Sequence, residues 1–231
     1  MNRIDRVLVA IPARDEEDRI EAALDAVHAA SGMCAVPVDV VVAADACTDA
    51  TAALAAARGA VVVRCDAGRV GTARAVAVQT GLATAGDPER VWIANTDADS
   101  IVPADWLAVH LEFAERGFGL LRGGVRPDPR ELAAEHLRRW LLLNPPLETH
   151  DHVHGANLGL TGGAYLAAGG FADVPLQEDV ALVRAVVASG RTTASTARAA
   201  VLTSARTTGR LEGGFATYLR DCVLAPPPVQ P

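Results

Sequence analysis

The chain has 231 residues, half of them apolar but only 4% aromatic, so one large core carried by alanine and valine is expected. The formal charge is −7 and all 21 basic residues are arginine, which excludes a P-loop lysine, a Schiff-base lysine and a Ser-Lys dyad. An acidic chain without a basic stripe is also a poor partner for nucleic acid polymers. No apolar run reaches the roughly 20 residues of a membrane span, and the start MNRIDRVLVAIPARDEE turns acidic too soon for a signal peptide. A cytoplasmic location is expected. Cys34, Cys47, Cys65 and Cys222 form no CxxC pair and no zinc spacing, so free thiols or small core residues are expected.

Val7 to Ile11, closed by Pro12, suits a fully buried strand. From Glu16 the period becomes helical, with Ile20, Ala23, Leu24 and Val27 on one face. Val38 to Ala43 predicts a second strand, followed by an alanine-rich helix to about Ala57. Val61 to Arg64 predicts a third strand, Thr72 to Ala85 a helix ended by Gly86 and Pro88, and Val91 to Ala94 a fourth strand. Short buried strands alternating with helices define an α/β chain with a parallel sheet and helices on both faces. After residue 100 the regularity loosens. Pro103 to Arg116, Glu131 to Leu143 and Val180 to Ser189 are helical, Gly119 to Arg122 and residues 199–203 are strands, and NPPLETHDHVHG is a loop. The tail, residues 223–231, is expected to be disordered or extended, and no linker divides residues 1–222 into two domains.

In such sheets ligands sit beyond the carboxyl ends of the strands. Three polar clusters fall there: PARDEE, ADACTD and NTDADS. Asp97 and Asp99 lie on one side of an extended segment, where two hard oxygens can hold Mg²⁺ or Mn²⁺ and through it a diphosphate. Turns and helix caps also supply Asp-x-Asp, so position at a strand end is what gives this pair weight. Glu178 and Asp179 precede an amphipathic helix, as a plain cap or as a general base held at a rigid helix start. His150, His152 and His154 alternate, but the HxHxDH pattern fails at Ala156 and Asn157. A solvated loop accounts for most of them, with one, taken as His154, as an accessory metal ligand. There is no GxSxG, and GFGLLR has arginine where GxGxxG needs its last glycine.

Taken together, these segments resemble the inverting family 2 glycosyltransferases over about residues 6–215. AIPARDEEDRI is similar to that family's opening strand and loop, with Asp15 in place of the usual asparagine. VVVAADACTDAT is similar to the second loop, with Ala44 at the usual first aspartate and Cys47 replacing a serine. NTDADSIVPADWL resembles the metal-binding signature. GANLGLTGGAYLAAGGF with QEDVALVRA resembles the acceptor-side segment.

The resemblance implies a GT-A fold: a single domain with a Rossmann-like, mostly parallel central sheet flanked by helices. Its nucleotide-binding half would cover about residues 1–100 and its acceptor half about 101–222. It implies transfer, with inversion, of a sugar from a UDP-linked donor to an acceptor hydroxyl. Pro12, Ala13, Glu16 and Asp45 would contact the nucleoside, and Arg69, Arg206 and Arg210 the donor. Asp97 and Asp99 would hold the metal, with Asp97 also on the donor, and Asp179 would be the base. A retaining transferase with a phosphoglycerate-type acceptor, a sugar nucleotidyltransferase and a non-catalytic binding module stay open, as does self-association.

Overall fold

The computed structural model describes residues 3–208 and 214–224. The strands β1 (Arg6–Ala13), β2 (Val38–Asp45), β3 (Val61–Cys65) and β4 (Val91–Asn95) alternate with the helices α1 (Ile20–Ser31), α2 (Thr51–Ala57) and α3 (Val70–Leu82). These strands pair in parallel in the order β3-β2-β1-β4. Val7 to Ala13 are all buried, because successive side chains of β1 serve opposite layers. Val7, Val9 and Ile11 pack with Ile20, Leu24 and Val27 of α1. Leu8 and Ala10 pack with Ala73, Ala77 and Val78 of α3.

The rest of the chain extends the same sheet. It comprises β5 (Ser100–Ile101), α4 (Trp106–Glu115), β6 (Leu120–Pro127), α5 (Ala134–Leu143), β7 (Leu158–Thr161), α6 (Gly162–Ala167), α7 (Glu178–Ala188), β8 (Thr193–Thr203) and α8 (Phe215–Tyr218). The full order is β3-β2-β1-β4-β7-β6-β8-β5. Strand β7 is antiparallel to β4 and to β6, β8 is parallel to β6, and β5 is antiparallel to β8. The sheet is thus mostly parallel with a mixed edge. Among the described residues no helix is long and apolar enough to cross a membrane.

Periodicity missed β7, α6 and the two-residue β5, and placed only the second half of β8, from residue 199 on. Strand β7 is four residues long and contains Gly159, against which the rings of Trp92 and His110 close so tightly that a Cβ would collide. The amide of Asn157 is buried just before it and uses every hydrogen-bonding site. Its Oδ1 accepts from Trp106 Nε1 at 2.9 Å and faces His110 Nε2 at 3.1 Å, while Nδ2 donates to the carbonyls of Gly124 and Ala199. Trp92 Nε1 donates to His110 Nδ1 at 3.1 Å, which makes Nε2 the protonated nitrogen of this histidine. This network ties β4, α4, β6 and β8 to the segment that enters β7.

At the C-terminal end, Leu219 and Val223 pack on Trp140 of α5. A π-helical turn runs from Leu219 to Leu224, two residues into the span expected as tail. Residues 225–231, with the proline run, and Arg210 lie outside the described residues.

Candidate active site

A cavity of about 350 Å³ opens at the carboxyl ends of β1, β2 and β4. Pro12, Ala13 and Glu16 enter it from the end of β1, Asp45 from β2 and Arg69 from the start of α3. Asp97 and Asp99 enter from the turn after β4, and Arg206 from the segment after β8. Parallel strands that share one register end on one edge, which is why residues so distant in sequence converge there.

The charges in the cavity are interlocked. Arg206 donates from Nη1 to Glu16 Oε1 at 2.8 Å and pairs through Nη2 with Asp99 Oδ2 at 2.9 Å. The Asp99 carboxyl, only 11% exposed, has its pKa pushed up to about 6, first by burial and then by the charge of Asp97. Arg74 of α3 donates from Nη2 to Asp97 Oδ1 at 2.5 Å. Sequence reasoning passed over Arg74. Its one sequence signal is that it is the lone charged residue in the alanine- and valine-rich span of α3; its burial, to 3% exposure, exists only in the fold.

Arg74 also reaches toward the acids at the start of α7. Its Nη1 donates to the Gly155 carbonyl at 3.0 Å, and its Nε lies 3.5 Å from Glu178 Oε1. The N–H of the same Gly155 donates to Asp179 Oδ2 at 2.8 Å, while Asp179 Oδ1 accepts from the N–H of Val180. Asp97, Arg74, Gly155 and Asp179 therefore form one hydrogen-bonded chain. A Cβ on Gly155 would stand 2.6 Å from Arg74 Nη2, so glycine is what lets the guanidinium lie against this peptide. Glu178 is buried, and its carboxyl is raised by that burial against the opposing pull of Arg74. Asp179 is half-buried at the helix start and does not line the first cavity.

Asp45 and Arg69 have structural partners as well. Asp45 Oδ1 accepts from the N–H groups of Ala67 at 2.6 Å and Gly68 at 3.1 Å, holding the turn that leads into α3. Arg69 pairs with Asp173 at 3.0 Å, linking the start of α3 to the loop before α7.

His154 lies outside the cavity of the two acids. It lines a second cavity, of about 100 Å³, with His150 and His152, and does not line the one that holds Asp97 and Asp99. Its ring stacks on His152 at 6.2 Å.

Asp97 and Asp99 fit a hard divalent cation, because a buried carboxyl raised by its neighbour's charge is relieved by positive charge. A further acidic group is separate from them: ligand atoms of Asp15, Cys47 and Asp49, none of which lines the first cavity, fall within 4.8 Å of one another. Those carboxylates already brace the loops, Asp15 accepting from the N–H of Thr48 at 2.7 Å and Asp49 from that of Thr51 at 2.9 Å.

Fold and site together define an open α/β protein with an acid- and arginine-lined ligand cavity at the carboxyl edge of its sheet. The sequence profile of Glycosyl transferase family 2 matches residues 8–162, and the chain belongs to that family. Among curated proteins no relative matches this chain. The fold is similar to that of TarS residues 1–349 from S. aureus, solved in complex with UDP, at a TM-score of 0.63 and 15% identity over 87% of this chain and 61% of that one. It is also similar to the mannosyltransferase PcManGT from Pyrobaculum calidifontis, in complex with GDP-Man and Mn²⁺, at a TM-score of 0.64 and 20% identity over 90% and 59% of the two chains. Glucosyl-3-phosphoglycerate synthase from Mycobacterium tuberculosis, in complex with phosphoglyceric acid, matches at a TM-score of 0.51 and 22% identity over 84% and 71%. These likenesses show the GT-A fold. The chain spans about three fifths of the length of the TarS and PcManGT chains.

Proposed function

We propose that the chain transfers a sugar, with inversion, from a UDP-linked donor to an acceptor hydroxyl, assisted by Mg²⁺ or Mn²⁺. The observation that carries this reading is the hydrogen-bonded chain from Asp97 through Arg74 and Gly155 to Asp179, which sets a donor-side acid and a candidate base at a fixed separation. The UDP in the TarS structure and the GDP-Man and Mn²⁺ in the PcManGT structure support the donor class and the cation. In this reading β1 to β4 form the donor half and the later elements the acceptor half.

Pro12, Ala13, Glu16 and Asp45 would receive the nucleoside, and Arg69 would flank it. Asp97 and Asp99 would hold the cation, whose charge would offset that of the departing diphosphate. Arg206 would turn from Asp99 and Glu16 to add charge-assisted hydrogen bonds to the diphosphate. The acceptor hydroxyl is too weak an acid to ionise alone, so Asp179 takes its proton as the oxygen attacks the anomeric carbon. Two of the roughly four lone-pair sites of Asp179 are used by the N–H groups of Gly155 and Val180, and the others can receive that proton. Those two bonds also hold the carboxylate in one orientation, which a base needs more than basicity.

Stabilisation of the protein by UDP-sugars with Mn²⁺, read by thermal shift, would identify the donor. Asp99→Ala should abolish metal-dependent transfer in a folded protein, and Asp179→Asn should bind donor normally but transfer nothing. Full turnover by either variant would remove that residue from the mechanism. Likeness to the phosphoglycerate synthase favours a second reading, retention without a base at Asp179. The anomeric configuration of the product, read by NMR, separates the two.

A further inference from the structure

The second cavity lies between β6, α5, β8 and the loop before β7, and nothing in the donor reading uses it. Its wall is largely apolar: Val125, Trp140, Leu141, Pro145, Pro146 and Leu147. The polar groups that reach it are the imidazoles of His150, His152 and His154, the amide of Asn144 and Arg126 at its rim. Among the described residues no carboxylate lines it. Asn144 is already engaged, its Nδ2 donating to the Trp140 carbonyl at 3.1 Å and to Tyr218 Oη at 2.8 Å.

Two polar atoms on these walls, Trp140 Nε1 and His150 Nδ1, are buried without a hydrogen-bond partner. Such orphans are costly and call for an explanation in a native protein. His154 on its wall immediately precedes Gly155, whose N–H holds the candidate base Asp179, so one short segment runs from this cavity to the base. On its outer side the apolar surface continues: Leu141, Leu142, Leu143 and Leu147 are all exposed.

We infer that this cavity is the acceptor subsite and that it takes an alcohol with a mainly apolar body, not a free sugar or an anionic acceptor. The inference rests on the glycosyltransferase reading for its chemistry. A sugar presents several hydroxyls, each needing a hydrogen-bond partner, and among the described residues of the wall no carboxylate supplies one. An apolar body instead matches Trp140, Leu141, Leu147 and the two prolines. Its hydroxyl meets neutral imidazoles, which offer one donor and one acceptor each. Burial lowers both His150 and His154, the latter to about 4, so near neutral pH these two imidazoles carry no positive charge; the cation among the described lining residues is Arg126, an exposed residue that can pair an anion at the solvent edge but not within the apolar wall.

The test uses three probes: 2-phenylethanol, glucose and 3-phosphoglycerate. Each is titrated into isotope-labelled full-length protein while the Trp140 indole and the histidine imidazoles are followed by NMR. 2-Phenylethanol should shift Trp140, His150 and His154, and the other two should leave them in place. With the donor present, transfer to 2-phenylethanol should exceed transfer to glucose by at least about tenfold, a difference of about 1.4 kcal/mol. Leu147→Asp, on the exposed rim, should cut that transfer by a similar factor while UDP affinity and donor hydrolysis stay unchanged. Shifts caused by glucose or 3-phosphoglycerate at these residues, or no shift with 2-phenylethanol, would overturn the inference. Failure to bind any nucleotide-sugar would instead count against the glycosyltransferase reading, since the NMR titration needs no donor.

Discussion

Replacing Arg74 by methionine tests whether this buried guanidinium holds the donor acid and the base segment together. Methionine keeps most of the stem's volume and removes the charge. Wild-type Arg74 is 3% exposed and faces Asp97, Glu178 and the Gly155 carbonyl. Asp97, at 31% exposure, recovers much of its solvation when the partner goes, whereas Glu178, at 8%, does not. Breaking a buried pair so that one charge is left alone costs about 3–5 kcal/mol. A loss of about 4 kcal/mol is expected near neutral pH, mostly from Glu178.

The loss should depend on pH. Burial already raises the Glu178 carboxyl, and Arg74 is the first group opposing it, so the variant raises it further. A carboxyl raised in the folded state binds its proton more tightly there than in the unfolded chain. Stability therefore falls as pH rises from the unfolded value to the raised folded one, and is recovered on acidification. Urea titrations at about pH 7.5 and about pH 5.5 should show a smaller deficit, relative to wild type, at the lower pH. Arg74→Met/Glu178→Gln should restore most of the stability at neutral pH without restoring transfer, because the Asp97 and Gly155 bonds stay broken. A deficit below about 1 kcal/mol, or one equal at both pH values, would refute the assignment of Glu178 as the stranded charge.

Other consequences follow from the same geometry. Asn157→Ala strands the Trp106 indole, the His110 imidazole and two carbonyls, so a loss of about 4 kcal/mol in urea denaturation is expected; a loss under about 1 kcal/mol would show that water replaces the amide. His110 is held neutral, its pKa lowered by burial from 6.5 to about 4, so the unfolded chain binds a proton in that window that the native one does not. Its contribution is present above about pH 6.5 and is lost as pH falls toward the folded value, at up to about 1.4 kcal/mol per pH unit. His110→Gln should flatten the stability–pH curve there, and an unchanged slope would assign the acid sensitivity to other groups. Arg206→Gln should weaken UDP binding in titration calorimetry by about ten- to a hundredfold, through loss of charge-assisted bonds. It should also lower the urea midpoint, because Glu16 at 6% and Asp99 at 11% exposure lose their shared cation; unchanged UDP affinity in the folded variant would remove Arg206 from the donor site.

The first four strands were legible because they obey local rules. Each of β1 to β4 is a short apolar run whose two faces are both covered, so hydrophobicity and its boundaries located the strands to within one or two residues. The acids at their ends followed from the edge rule for open sheets. Beyond residue 100 the periods weaken because the strands are mixed in direction. Only one face of β8 is consistently packed, and β7 is held by contacts to Trp92 and His110 that no local pattern records.

By itself, then, the amino-acid order determined the alternating layers, the convergence of three acidic loops and the family to which the chain belongs. Burial and charge pairing needed the folded chain. Arg74 is one arginine among 21 until α3 packs it under Asp97 and Glu178. His154 alternates with its neighbours as a ligand would, yet in the folded chain it lines a different cavity from Asp97 and Asp99. Periodicity records which face of an element is apolar. Which distant group completes a buried charge depends on distances that exist only once the layers have closed.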